Sequence, residues 1–359
     1  MLNRRNFLSA SSAVAVATLL PNQRVATAQT VESESAAQVV DPMSVVDPEF
    51  RQPLQAMEKT VGGMFDKVDD TTLIKISRER DEGPQHLAAS PIVTEHLISR
   101  SPNNPPVKVF VTGDTAGASR PAILHIHGGG YIAGTAASSR AQIQDLARTH
   151  DCVAVTVDYR LAPETHFPGS LEDNYAALRW MNTNAKDLGI DVTRVAVKGE
   201  SAGGGHAAAL AIAARDRKEF SICLQVLCYP MLDDRTGSSR MPEPAFGHFI
   251  WTSRENRLGW TSLLGVPAGS AQVPANSVPA RIQNFAGLPP AFIGVGGIDL
   301  FAPEDIDYAG RLLRAGVPTE LSVVPGGYHG FDLFAPNASL SRQFTQAWNE
   351  AIRRAFQES

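Results

Sequence analysis

Charge of either sign is scarce in this sequence, and what there is nearly cancels. Lys and Arg number 32 against 37 Asp and Glu, a net charge of −5 over 359 residues. No basic cluster occurs, which excludes the electrostatic footprint of a nucleic-acid binder. Cysteine is rarer still: Cys152, Cys223 and Cys228, each inside an apolar run of β type. Cys223 and Cys228 stand five positions apart and would face opposite sides of a regular strand. No disulfide is therefore expected, and the thiols read as small buried hydrophobes. Metal-ligand spacing is missing as well. His125-x-His127 could present two imidazoles on one strand face, but the glycine run that follows explains His127 better, and no metal is expected. The weakly apolar run from Ala10 to Leu20 is about half of the ~20 residues that a membrane span needs, so no stable membrane anchor is expected.

That short run still has a meaning. Arg4-Arg5-x-Phe7-Leu8 precedes it, and Ala26-Thr27-Ala28 follows as a small-residue cleavage site. The pattern resembles a twin-arginine-type signal peptide over residues 1–28, which implies a bacterial source and a periplasmic or secreted mature protein. Residues 29–50 are polar, Pro-bearing and without period, and read as a linker.

Beyond it the chain is built for a core: apolar residues make up 43% and charged ones only 19%, which argues against disorder. Short runs rich in Val, Ile and Ala recur at 92–98, 107–111, 122–127, 152–157, 194–197, 222–228, 291–295 and 321–324. Several are continuously apolar, as in strands covered on both faces. Helical spacing fills the intervals at 141–149, 171–181, 202–214, 306–315 and 344–356. Alternation of this kind predicts an α/β fold with a mostly parallel sheet and helices on both faces. Two stretches break it, about 43–90 and 234–285, and are expected to lie as insertions over one end of the sheet. The second carries Phe246, Phe249, Trp251 and Trp260, which are expected either to pack the insertion onto the domain or to close an acyl pocket and favour short chains.

Gly199-Glu200-Ser201-Ala202-Gly203 sits between a predicted strand and a predicted helix. That is the setting of a nucleophile elbow, with Ser201 exposed at the end of the sheet. His127-Gly128-Gly129-Gly130-Tyr131 follows an earlier strand, and its glycines let backbone amides approach a bound carbonyl oxygen. His127 reads as a loop organiser, because in this architecture the triad base follows the nucleophile in the chain. Of the later histidines, His206 lies along the nucleophile helix and points away from the elbow, and His248 lies in the insertion. His329, in the glycine-rich loop after the last strand, is the expected base. Asp299, at the end of the preceding strand, is the expected acid, with Glu304, Asp305 and Asp307 as nearby competitors.

Together His127-Gly-Gly-Gly, Asp158-Tyr-Arg-Leu-Ala-Pro-Glu164, Gly199-Glu-Ser-Ala-Gly-Gly204, Tyr328-His-Gly-Phe331 and Arg311-Leu-Leu-Arg-Ala-Gly-Val317 resemble the hormone-sensitive lipase-like family of α/β-hydrolase carboxylesterases, from about residue 85 onward. The resemblance implies an α/β-hydrolase fold of eight strands with a helical cap built from the N-terminal segment and the insertion. It implies Ser201, Asp299 and His329 as catalytic triad, and the amides of Gly129, Gly130 and Ala202 as oxyanion hole. No cofactor is implied, and the substrate implied is a small carboxylic ester of short to medium acyl chain, hydrolysed through an acyl-enzyme. In place of the family's usual Asp-Pro-Leu this chain has Asp299-Leu300-Phe301. A lactonase or amidase could use the same residues, whereas a ligand receptor on the same fold would typically have lost part of the triad. Oligomeric state is not legible, and a homodimer is compatible with all of this.

Overall fold

The computed structural model describes residues 41–61, 68–80, 86–100 and 105–358. The signal-peptide residues 1–28 and the first part of the linker lie outside the described residues.

All eight predicted strands form: β1 (Val93–Ile98), β2 (Val107–Thr112), β3 (Arg120–Ile126), β4 (Val153–Asp158), β5 (Ile190–Glu200), β6 (Leu224–Cys228), β7 (Ala291–Gly296) and β8 (Thr319–Val324). They make one sheet in the order β1-β2-β4-β3-β5-β6-β7-β8. β1 and β2 run antiparallel to their neighbours, and the pairs from β4 to β8 are parallel. The helices are α1 (Pro48–Val61), α2 (Asp70–Arg80), α3 (Arg140–His150), α4 (Gly169–Thr183), α5 (Ala185–Leu188), α6 (Ala202–Arg217), α7 (Ser253–Leu264), α8 (Ala302–Arg314), α9 (Phe331–Phe334) and α10 (Ser339–Glu358).

The period-2 alternation of strand side chains divides the interior into two cores. In β3, Ile123 packs on one face with Ile143 of α3 and Phe344 and Ile352 of α10. Ala122, Leu124 and Ile126 pack on the other with Leu171 and Leu178 of α4, Leu210 of α6 and Leu312 of α8. Continuous apolar runs are thus the signature of a sheet buried twice. Cys152 and Cys228 are buried and all three cysteines are free thiols; burial pushes the Cys152 thiol up to about 12.

Two boundaries differ from expectation. From residue 41 the linker is structured, with a 3-10 turn at Pro42–Val45 and α1 beginning at Pro48. The cause is burial: Val46 and Phe50 enter the core, Phe50 against the rings of Tyr328 and Phe331. At its far end the second insertion is shorter than predicted, because Ala280, Ile282 and Phe285 already pack in the core beside α8. Within it α7 is fixed locally by a capping box, Thr252 and Glu255 exchanging side-chain and backbone bonds, and stopped by left-handed Gly265.

Candidate active site

At the carboxyl end of β5 the chain turns abruptly. Ser201 has φ +57°, an unfavourable conformation for a residue with a side chain. Backbone bonds hold it there: Ser201 N donates to Cys228 O at 2.9 Å, and Met231 N donates to Ser201 O at 3.0 Å. A Cβ at Gly203 would lie 2.0 Å from the carbonyl of Ile126, so the close approach of α6 to β3 requires glycine. α6 starts at Ala202 and points its first amides toward the space above Ser201.

The loops after β7 and β8 meet that serine. Gly297 N donates to Val324 O at 2.7 Å and Ile298 N to Gly327 O at 3.1 Å, so the two glycine-rich loops are bonded to each other. Asp299 and His329 project from them. His329 Nδ1 lies 2.8 Å from Asp299 Oδ2, and His329 Nε2 lies 2.9 Å from Ser201 Oγ. The second carboxylate oxygen of Asp299 accepts from Phe301 N at 3.0 Å, fixing the group despite the missing proline. All three side chains are buried, with residue exposures of 8% for Ser201, 6% for His329 and 1% for Asp299.

The competing acids are elsewhere. Glu304 accepts from the amides of Leu232 and Asp233, and Asp307 pairs at 3.9 Å with Arg314 on the surface. Asp305 is fully buried with neither oxygen partnered among the described residues. Burial raises both the Glu304 and Asp305 carboxyls well above the usual range.

The glycine loop after β3 closes on itself, Ile132 N and Ala133 N both donating to Gly129 O. The amides of Gly129 and Gly130 give no backbone hydrogen bond among the described residues, which leaves them available to a bound oxygen. Gly130 has φ +60°, and the ring of Trp251 lies where its Cβ would be. His127 stacks on Tyr159 at 4.2 Å and its Nδ1–H donates to Gly128 O at 2.8 Å. Burial pushes it down to about 4, so it is a neutral loop organiser. His206 faces the rings of Tyr131 and Tyr159 and is likewise pushed down by burial, to about 3. His248 is bonded to the carbonyl of Pro244.

Several residues near the site went unnoticed in the sequence. Beneath Ser201, the Glu200 carboxylate accepts from His125 Nε2 at 2.9 Å, from Gln142 Nε2 at 2.7 Å and from Lys198 Nζ. Burial opposes its charge, but Lys198 and His125 outweigh this and hold the carboxyl well below the usual range. The available signal was two charged residues, Lys198 and Glu200, directly after the apolar run Val195-Ala196-Val197 at the end of β5. Arg78 of α2 binds the carbonyls of Ile132 and Ala162 at 2.8 and 2.9 Å, and both oxygens of Glu164. One guanidinium therefore ties α2 to the loop that carries Gly129 and Gly130.

A cavity of about 400 Å³ opens over Ser201. Of the four insertion rings only Trp251 lines it. Trp260 is fully buried against Tyr131, and Phe249 packs on Tyr328, so these rings fasten the insertion and do not shape the pocket.

A family model described as alpha/beta hydrolase fold matches residues 123–333. Esterase LipI of Mycobacterium tuberculosis is 33% identical over 246 residues, covering 66% of this chain and 73% of the relative. Ethyl acetate hydrolase of Pseudomonas putida is 31% identical over 242 residues, covering 66% and 74%. Among solved structures, a bacterial heroin esterase superposes with a TM-score of 0.75 at 33% identity, covering 88% of this chain and 99% of that one. The family match spans the elbow, the three glycine-rich loops and strands β4 to β8, and the protein belongs to the hormone-sensitive lipase-like family of α/β-hydrolase carboxylesterases.

Proposed function

We propose that this carboxylesterase works through Ser201 as nucleophile, His329 as general base and acid, and Asp299 as the group that orients the imidazole. The observation that carries this is the unbroken chain from Ser201 Oγ through His329 to Asp299, at 2.9 and 2.8 Å. With Nδ1–H donating to Asp299, His329 Nε2 is free to accept the serine proton as Oγ attacks the ester carbonyl. The amides of Gly129, Gly130 and Ala202 receive the carbonyl oxygen as it becomes negative. Collapse of the tetrahedral intermediate expels the alcohol, which takes the proton from Nε2. A water then enters by the same route and releases the acid, restoring Ser201. A cavity of about 400 Å³ suits acyl chains of short to medium length, and ethyl acetate hydrolase among the relatives supports that range.

Treatment with a diethyl phosphoryl ester should stop turnover and add one phosphoryl group to the peptide bearing Ser201. Label found on another serine would overturn the assignment. Ser201→Ala should lower kcat on p-nitrophenyl acetate by at least ~10⁴-fold in a folded protein. Hydrolysis of the matching anilide faster than of the ester would favour the amidase alternative.

We infer export by the twin-arginine route from Arg4 and Arg5, with the mature protein periplasmic or secreted. No helix among the described residues is long and apolar enough to cross a membrane. Replacing both arginines with Lys should leave uncleaved protein in the cytoplasm, whereas normal export would point to the general secretory route. A homodimer remains compatible with the reading, and light scattering would decide it.

A further inference from the structure

The lining of the catalytic cavity divides by chemistry. One wall is apolar: Tyr229, Ile250, Trp251, Leu333 and Phe334. Two of its rings flank His329, Tyr229 at 5.1 Å and Trp251 at 6.3 Å, and Trp251 reaches across to Gly130 as well. The other wall is polar: Ser138, Ser139, Gln142 and Glu200, drawn from the 3-10 turn Ala136–Ser139, the first turn of α3 and the elbow itself.

Among the described residues the Ser139 hydroxyl is a donor with no hydrogen-bond partner on this wall, and the other three side chains turn acceptors toward the cavity. A carboxylate offers about four lone-pair directions. Glu200 fills three, Oε1 with Gln142 and Lys198, Oε2 with His125. Gln142 has turned its amide N–H toward Glu200, which leaves its carbonyl oxygen uncommitted among the described residues. The hydroxyl of Ser138 donates to Thr135 O at 2.7 Å and keeps its lone pairs. A methylene chain laid here would strip water from these acceptors and return nothing, and a carboxylate would meet the charge of Glu200. A hydroxyl or ammonium would satisfy them.

The direction of the reaction says which half of the ester meets this wall. The leaving oxygen must lie at His329 Nε2 to be protonated, so the alcohol lies along the apolar wall. The acyl group, bonded through its carbonyl carbon to Ser201 Oγ, is left the rest of the lining, to which Ser138, Gln142 and Glu200 belong. Resting on the proposed roles of Ser201 and His329, we propose that Ser138, Gln142 and Glu200 form an acyl subsite for groups bearing a hydrogen-bond donor, hydroxy- or amino-acyl esters, which the enzyme prefers over plain alkanoates.

Ethyl butyrate and the two enantiomers of ethyl 3-hydroxybutyrate, followed by pH-stat titration and each divided by its rate with hydroxide, test this directly. At least one hydroxy ester should exceed ethyl butyrate in kcat/KM by ~5-fold or more, as expected for a hydrogen bond to a charged group. Gln142→Leu should lower that ratio ~5-fold, and Ser138→Ala, the milder change, should lower it less. Ratios at or below unity for both enantiomers would overturn the subsite, as would a ratio that neither folded variant moves. Failure of the ester reading looks different: the wild type would turn over none of the three esters, or Ser201→Ala would retain activity.

Discussion

The floor and the roof of the catalytic cavity are built by different means. In the floor, buried ions and backbone bonds do the holding. Lys198 and Glu200 are buried as a pair, Lys198 also sits 4.5 Å over the ring of Trp348, and His125 completes the group from the neighbouring strand. Breaking such a pair leaves an uncompensated charge, at a cost of about 3–5 kcal/mol. The roof is held by the packing of rings, and its rim is open: Leu333 is 64% exposed and Phe334 40%. The support beneath Ser201 therefore rests on groups that cannot be exchanged singly, whereas the rings over the cavity can be changed one at a time.

The sharpest test of this contrast lies in the floor. Asp299→Asn should lower kcat ~10³–10⁴-fold, because the amide no longer holds the imidazole in its useful tautomer. The same change at Glu304, Asp305 or Asp307 should cost far less, and kinetics on p-nitrophenyl acetate would reverse the assignment if one of these proved the damaging change. In the roof, Trp260→Ala should destabilise the fold by about 3–5 kcal/mol through the cavity it leaves, with selectivity intact. Trp251→Ala should do the converse, raising kcat/KM for octyl acetate relative to ethyl acetate several-fold while the melting temperature stays near that of the wild type. If both variants shift selectivity alike, the division between fastening and lining rings is wrong.

Arg78 joins roof to floor, and its effect should fall between. Arg78→Met frees the Ile132 and Ala162 carbonyls and loosens the loop bearing Gly129 and Gly130. A fall of ~10-fold in kcat with little change in KM is expected if the loop binds the oxyanion as proposed, more tightly than the ground state. An unchanged kcat would detach α2 from the chemistry. The smallest effect concerns pH. The bond from Arg78, together with its charge, pulls the Glu164 carboxyl down from 4.5 to about 2. A depressed carboxyl stabilises the fold above its ordinary value, and the gain is lost as pH falls from about 4.5 toward 2. Glu164 is well exposed, so solvent screening keeps the gain small. Thermal unfolding at pH 6 and pH 3 should show a slightly smaller pH sensitivity in Arg78→Met than in the wild type.

The same division explains what the sequence made legible. The elbow, the glycine loop and the two loops carrying Asp299 and His329 are local patterns at strand ends, and the eight strands that aim them are runs of apolar residues. Glu200 is different. Its partner His125 stands beside Lys198 only through the pairing of β3 with β5, a register no single segment declares. Trp251 and Trp260 carried equal weight as letters, yet one lines the cavity and the other is core, because α7 turns Trp260 inward with Leu263 and Leu264. Arg78 was invisible for a related reason: two of its partners are backbone carbonyls, which every residue has, and the third, Glu164, stands 86 positions along the chain.

The bonds between the loops after β7 and β8 also bear on alignment. Since Gly297 reaches Val324 and Ile298 reaches Gly327, the carboxylate and the imidazole travel as one body. The pair proposed to orient and carry the proton is thus held at its 2.8 Å spacing by the backbone of both loops as well as by its own hydrogen bond.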